Sequence, residues 1–385
     1  MNMILPQSAN QEEVITRQLL GNKAQIQGRV QKLSDGSFEA YRGIPYAKAP
    51  IGELRFKSPV PYEIQDDTLI DGSKFGEACP QLLKSEVIGS EDCLFLNVFV
   101  PGANKGNLPV MVYFPGGTFV MGDGGLYGPE YFMSQGNVIL VTVNYRLGSL
   151  GFLSLEDDTI AGNMGLKDQM EALRWVQAHI QSFGGDKDSV TILAIQRVEY
   201  QFSVFSWRKN PFMHSTHAPS YYSSILANDL GCDTETTIKT LDCLREISMA
   251  ELVQKQHIPW KPVEDFGYAS KPLFKRSFAE ALGHGTFRHV PILIGGTSEE
   301  GALFTPKLFA NDGEKFVEIS ENFDILGSTL LMCIDEADVT EEDSATANII
   351  NIEYFNKENI TYSSENIDKL IKMLTDVHFL GPLDN

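Results

Sequence analysis

The chain has 385 residues, 43% of them hydrophobic, with ordinary glycine, proline and charge contents, which excludes a disordered or fibrous polymer and allows one large core or two ordinary ones. Its formal charge of -20 argues against a nucleic-acid partner or an anionic membrane surface, because both require clustered Lys and Arg. No apolar stretch approaches the length of a membrane span, and the N-terminal residues lack the charged and apolar regions of an export signal.

In chain order, "IQGRVQKLSDGSFEAYRGIPYA" sets a DG turn between two alternating segments and predicts an antiparallel hairpin. Near-continuous apolar runs follow at 107–114, 137–145, 189–194 and 290–296, the pattern of strands covered on both faces. A helix lies between the second and third runs. Leu166, Met170, Leu173, Val176 and Ile180 form its expected buried stripe, with Lys167, Asp168, Glu171 and Arg174 turned away and "FGG" stopping it. Strands alternating with helices predict a mostly parallel central sheet covered by helices, and no linker or composition shift divides residues 1–385 into more than one domain.

Three stretches could carry chemistry. "YFPGGTFVMGDGG" follows a strand at once, and its glycine pair can turn backbone N–H groups toward a ligand oxygen, although a plain glycine turn explains the segment equally well. "IGGTSEEG" ends another apolar run with carboxylates at the strand's C-terminal end, where α/β sheets place ligand sites. Third, the run 189–194 enters Ile195, Gln196, Arg197 and Val198, where many α/β enzymes carry a nucleophile between small residues. No residue pattern calls for a metal or a cofactor. Five cysteines form two closely spaced pairs and a single Cys333, a count that fits disulfides in an oxidising compartment and buried thiols equally.

Taken in order, "YRGIPYAKAPIGELRFKSP", "SEDCLFLNVFVP", "VMVYFPGGTFVMGDG", "VTVNYRLGSLGFL", "GNMGLKDQMEALRWVQAHIQSFGGD", "LGCDTETTIKTLDCLREISMAELV" and "VPILIGGTSEEGALF" resemble the type B carboxylesterases and cholinesterases of the α/β-hydrolase fold. The resemblance covers 20–193 closely and 221–385 as a match that ends early, with 194–220 anomalous between them. It implies an oxyanion loop at Gly116, Gly117 and Thr118, and a triad acid at Glu300. It further implies disulfides Cys79–Cys93 and Cys232–Cys243, and structural ion pairs Arg42–Glu91 and Arg146–Asp168. The implied substrate is a small-molecule carboxylic ester.

Two departures qualify the implied activity. An ungapped alignment of the serine elbow puts Gln196 at the nucleophile, and no other G-x-S-x-G occurs in the sequence. The chain also reaches "MLTDVHFLGPLDN" where the family has not yet supplied its triad histidine, so His378 does not hold that role by position; His214 and His217 fall inside the anomalous stretch. The expectation is a carboxylesterase-family chain, inactive or impaired, whose residues 193–220 and C-terminus reflect a shifted frame, an alternative splice or a defective gene model. The alternatives are a non-catalytic esterase-like protein that binds a protein partner or ligand, and an active enzyme using other residues.

Overall fold

The DG turn closes as expected. Leu33 N–H donates to the Gly36 carbonyl at 3.0 Å, joining β2 (Gln25–Lys32) to β3 (Ser37–Pro45) after a first strand β1 (Val14–Gln18). In this computed structural model the described residues are 13–21, 23–102, 106–194, 219–255, 260–285, 290, 291, 293, 314–328, 339–356 and 363–376. They fall into two compact units, one of Met1–Ile195 with Tyr222–Leu273 and one of Gln196–Tyr221 with Phe274–Asn385.

The first unit is built on a mixed sheet. After β4 (Leu69–Asp71) and a separate small hairpin of β5 (Gln81–Leu83) and β6 (Glu86–Ile88) come β7 (Phe95–Pro101), β8 (Leu108–Phe114), β9 (Ile139–Val143) and β10 (Gly185–Ala194). Their order is β1-β2-β3-β7-β9-β8-β10, with β4 beside β2. The N-terminal strands and β7 pair antiparallel, while β8 runs parallel to both β9 and β10. β9 is buried at every residue, as an interior strand covered on both faces must be. Helices α1 (Glu130–Gln135), α2 (Gly148–Phe152), α3 (Met164–His179), α4 (Pro219–Asp229), α5 (Thr237–Glu246) and α6 (Met249–Gln254) complete this unit.

Two expectations about burial are corrected. Val176 and Ile180 are buried and Arg174 is exposed, as the periodicity predicts, but α3 also buries Asp168 and Glu171, whereas Met170 is 40% exposed and lines an open groove with Leu173, Arg174, Gln177 and Ala178. Asp168 turns inward because its partner Arg146 is there. β10 does form, but at the end of the sheet, so Thr191 and Ile192 are exposed rather than covered. Of the apolar run at 290–296 only 290, 291 and 293 are described; there Val290 and Leu293 are solvent-exposed, and the rest of the expected strand lies outside the described residues.

The described part of the second unit is helical. It comprises α7 (Phe278–Gly283), α8 (Glu314–Glu321), α9 (Glu341–Phe355) and α10 (Ser364–Thr375), with a core of Ile319, Phe323, Ala347, Phe355, Leu370, Met373 and Leu374. A capping box between Thr340 and Asp343 starts α9, satisfying two backbone donors at its first turn.

Candidate functional site

The neighbouring parallel strands β8 and β10 end in register, with Phe114 opposite Ala194. The chain therefore leaves the sheet at two adjacent points on its C-terminal edge, once into the glycine segment and once toward Gln196. That edge is where parallel sheets place their sites.

The glycine segment is a tight, pinned loop. Gly117 has φ +127, and a Cβ there would stand 2.2 Å from the Met121 carbonyl oxygen, so only glycine fits. The next two residues, Thr118 (φ 54) and Phe119 (φ 62), also hold left-handed backbone, which non-glycine residues adopt at a cost. Three of the loop's carbonyls are occupied: Tyr145 hydroxyl donates to Pro115 O at 2.9 Å, Val120 and Met121 N–H to Gly117 O at 3.0 and 3.1 Å, and Gly148 N–H to Phe119 O at 2.7 Å. By contrast, the N–H groups of Gly117 and Thr118 meet no acceptor among the described residues. Half-buried donors without acceptors, held by a strained loop, suit an oxygen that gains negative charge. Beside the loop, burial pushes the Tyr113 phenol up to about 12, which keeps it neutral.

The flanking scaffold is tied by side chains. Gly122 N–H donates to Gln81 Oε1 at 2.8 Å, and Gly124 N–H donates to Asn144 Oδ1 at 2.7 Å. Cys79–Cys93 and Cys232–Cys243 are bonded. Arg146 meets Asp168 through Nε at 2.8 Å and Nη2 at 2.6 Å, with both side chains buried. The implied Arg42–Glu91 pair is corrected: Glu91 is held by Arg55, and the Arg42 guanidinium lies 5.0 Å from the centre of the Phe75 ring. The two arginines share one landmark segment, but Arg42 belongs to β3 and is drawn onto aromatic rings, whereas Arg55 follows a short turn that brings it to Glu91. Arg55, Gln81 and Asn144 escaped sequence reasoning, since nothing local distinguishes a tying amide from a surface one.

The structure thus brings together Gly116, Gly117 and Thr118 at the end of β8, next to the end of β10. Glu300, Gln196, His214, His217, Cys333 and His378 lie outside the described residues. Among the described residues no group of His, Cys, Asp or Glu could hold a metal ion, and no helix is long and apolar enough to cross a membrane.

Comparison with known proteins bears on what this arrangement belongs to. The sequence model of the carboxylesterase family matches residues 11–196 and 208–385. A carboxylic ester hydrolase from Bombus ignitus is 35% identical over 326 residues, covering 76% of this chain and 58% of its own length. Venom carboxylesterase-6 from Apis mellifera is 32% identical over 377 residues, covering 89% of this chain and 66% of its own. This chain therefore spans 58% and 66% of those two relatives. Among solved structures, juvenile hormone esterase from Manduca sexta with OTFP covalently attached superposes with a TM-score of 0.76 at 26% identity, covering 96% of this chain and 74% of that one.

Proposed function

The chain belongs to the carboxylesterase family and has its α/β-hydrolase fold, and from that premise we propose that it retains the ester-binding, oxyanion-facing half of the site while carrying, at Gln196, no nucleophile that would turn an ester over. In such a hydrolase a serine attacks the ester carbonyl, a histidine takes and returns the proton, and a carboxylate orients the imidazole. Gly117 and Thr118 N–H would receive the carbonyl oxygen as it becomes an oxyanion, and Glu300 would be the orienting acid. Gln196 stands at the serine's position. Its amide has no hydroxyl to deprotonate and cannot form an acyl-enzyme. The observation that carries the reading is the pairing of Phe114 with Ala194, which ends β8 and β10 together at the sheet edge where the glycine loop begins, its Gly117 and Thr118 N–H groups meeting no acceptor among the described residues.

Loss of triad members in serine hydrolases leaves roughly 10³–10⁴-fold catalysis over water, drawn from binding and the oxyanion hole. This chain falls at or below that level. Incubation with an activated ester and with an organophosphate, followed by intact-mass spectrometry, tests the proposal. No acyl burst and no phosphoryl adduct are expected. A Gln196→Ser variant should remain unlabelled as well, because Ile195 and Val198 occupy the sequence positions where a serine elbow needs small residues. Stoichiometric labelling of the unmodified chain would overturn the proposal, and peptide mapping would then identify the serine, with Ser203, Ser206 and Ser215 the first serines after Gln196.

A further inference from the structure

Gln81 is 5% exposed, and its side-chain amide is fully engaged. Oε1 accepts from Gly122 N–H at 2.8 Å, while Nε2 donates to Gly122 O and to Cys79 O, each at 3.1 Å. One side chain thus grips both backbone groups of Gly122 and ties them to the main chain of a disulfide cysteine. Asn144 repeats the tie one step along, accepting from Gly124 N–H at 2.7 Å and donating to Glu77 O at 3.0 Å.

Gly122 is the far end of the glycine loop. With φ +117, it packs so closely that a Cβ there would sit 2.4 Å from the Gly116 carbonyl oxygen, so the loop's two ends touch. Between them, Val120 and Met121 N–H both bond Gly117 O. A shift of Gly122 therefore reaches Gly117 and Thr118 through a turn that has no slack. From the other side, Cys79 is held to Cys93, and Ser90 N–H bonds Ala78 O at 2.9 Å. The 79–93 loop is cross-linked at its base, and Gln81 extends from that base to the glycine loop.

We propose that Gln81 is a positioning residue that transmits the Cys79–Cys93 cross-link to the glycine loop, so that the disulfide loop as well as the sheet sets where the Gly117 and Thr118 N–H groups stand. The inference rests on reading those two groups as oxyanion donors, but the coupling itself exists or fails independently of catalysis.

Residue-resolved amide hydrogen exchange on the full chain tests it, with Val120 and Met121 as reporters because neither bonds Gln81. Gln81→Leu should accelerate both by about 10-fold or more, and Cys79→Ala/Cys93→Ala should do the same, while β9 amides Ile139–Val143 keep their native protection. Combining the two changes should add less than the product of their separate effects, because they act along one path. Gln81→Glu keeps the acceptor for Gly122 N–H and loses both donated bonds, so it should fall between wild type and Gln81→Leu, and it serves as the probe should the leucine variant fail to fold. Native protection at Val120 and Met121 in the Gln81 variants, native protection in the cysteine variant, or equal acceleration throughout β9 would each overturn the proposal. Confirmed coupling together with unchanged Gly117 and Thr118 amide chemical shifts on adding an activated ester would instead refute the oxyanion reading and leave Gln81's role standing.

Discussion

Arg55 closes on Glu91 edge to edge, with Nε donating to Oε2 at 2.7 Å and Nη2 to Oε1, while Nη1 donates to the carbonyls of Arg245 at 2.9 Å and Ile247 at 2.7 Å. Those carbonyls end α5, which carries Cys243, and Glu91 stands two residues before Cys93. One buried guanidinium therefore joins the neighbourhoods of both disulfides and supplies the positive charge that a helix C-terminus favours.

Removing one partner of a buried pair strands the other's charge, at a cost of about 3–5 kcal/mol. Arg55→Ala and Glu91→Gln should each lower unfolding stability by amounts in that range, read from urea midpoints at unchanged slope. A double-mutant cycle decides which arginine Glu91 serves: coupling of about 1.5 kcal/mol or more is expected with Arg55, and coupling near zero with Arg42. The reverse outcome would restore the pairing that the family resemblance implies.

Gly117→Ala probes the loop directly. The alanine methyl would collide with the Met121 carbonyl in a backbone region that costs a non-glycine residue about 1–3 kcal/mol. Faster exchange at Val120 and Met121 should follow, with a small drop in global stability. Native exchange in this variant would mean that the loop is softer than its contacts indicate.

Much of this was legible in the sequence. The DG turn and the apolar runs at 107–114 and 137–145 fixed the hairpin, β8 and β9 because turn chemistry and continuous burial are local signals. The burial of α3 was legible only in part: periodicity placed Val176 and Ile180 in the core and Arg174 outside, but turned Asp168 away, which faces inward against Arg146, a partner on another element that only the family resemblance implied. Apolar Met170 and Leu173 face outward for the converse reason: no described element covers them. The glycine loop could be suspected from its composition, but its shape depends on Tyr145 and Gly148, which follow β9 and bond the Pro115 and Phe119 carbonyls.

His179 gives a pH dependence. It lies over Trp175 with ring centres 5.1 Å apart, its Nδ1 is buried without a hydrogen-bond partner, and burial pulls its pKa below the ordinary value of about 6.5. As pH falls through about 6.5 the unfolded chain takes up the proton before the folded chain does. Stability is therefore full above that pH and is lost below it. Urea midpoints measured from about pH 7.5 down to about pH 5.5 should fall more steeply for wild type than for His179→Gln; parallel curves would show that His179 contributes nothing.

The outer edge of β10, paired with no described strand, leads to a prediction about the chain in solution. Val190–Ala194 carries no charge, contains three β-branched residues, and pairs on one side only among the described residues, while Ile192 is 56% exposed. Sheet edges of this kind recruit other strands unless a charge or proline blocks them. The net charge of -20 opposes that association at long range, and salt removes the opposition, because the screening length shrinks to about 3 Å at 1 M. Light scattering should therefore show a mass that rises with protein concentration and, at fixed concentration, with ionic strength. Ile192→Lys places a charge on the exposed face of the strand without emptying a core, so it should suppress the rise at low and high salt while leaving the unfolding free energy within about 0.5 kcal/mol of wild type. Association that persists unchanged in Ile192→Lys would move the sticking surface away from β10, and a wild-type chain that stays monomeric at high salt would show that this edge is protected.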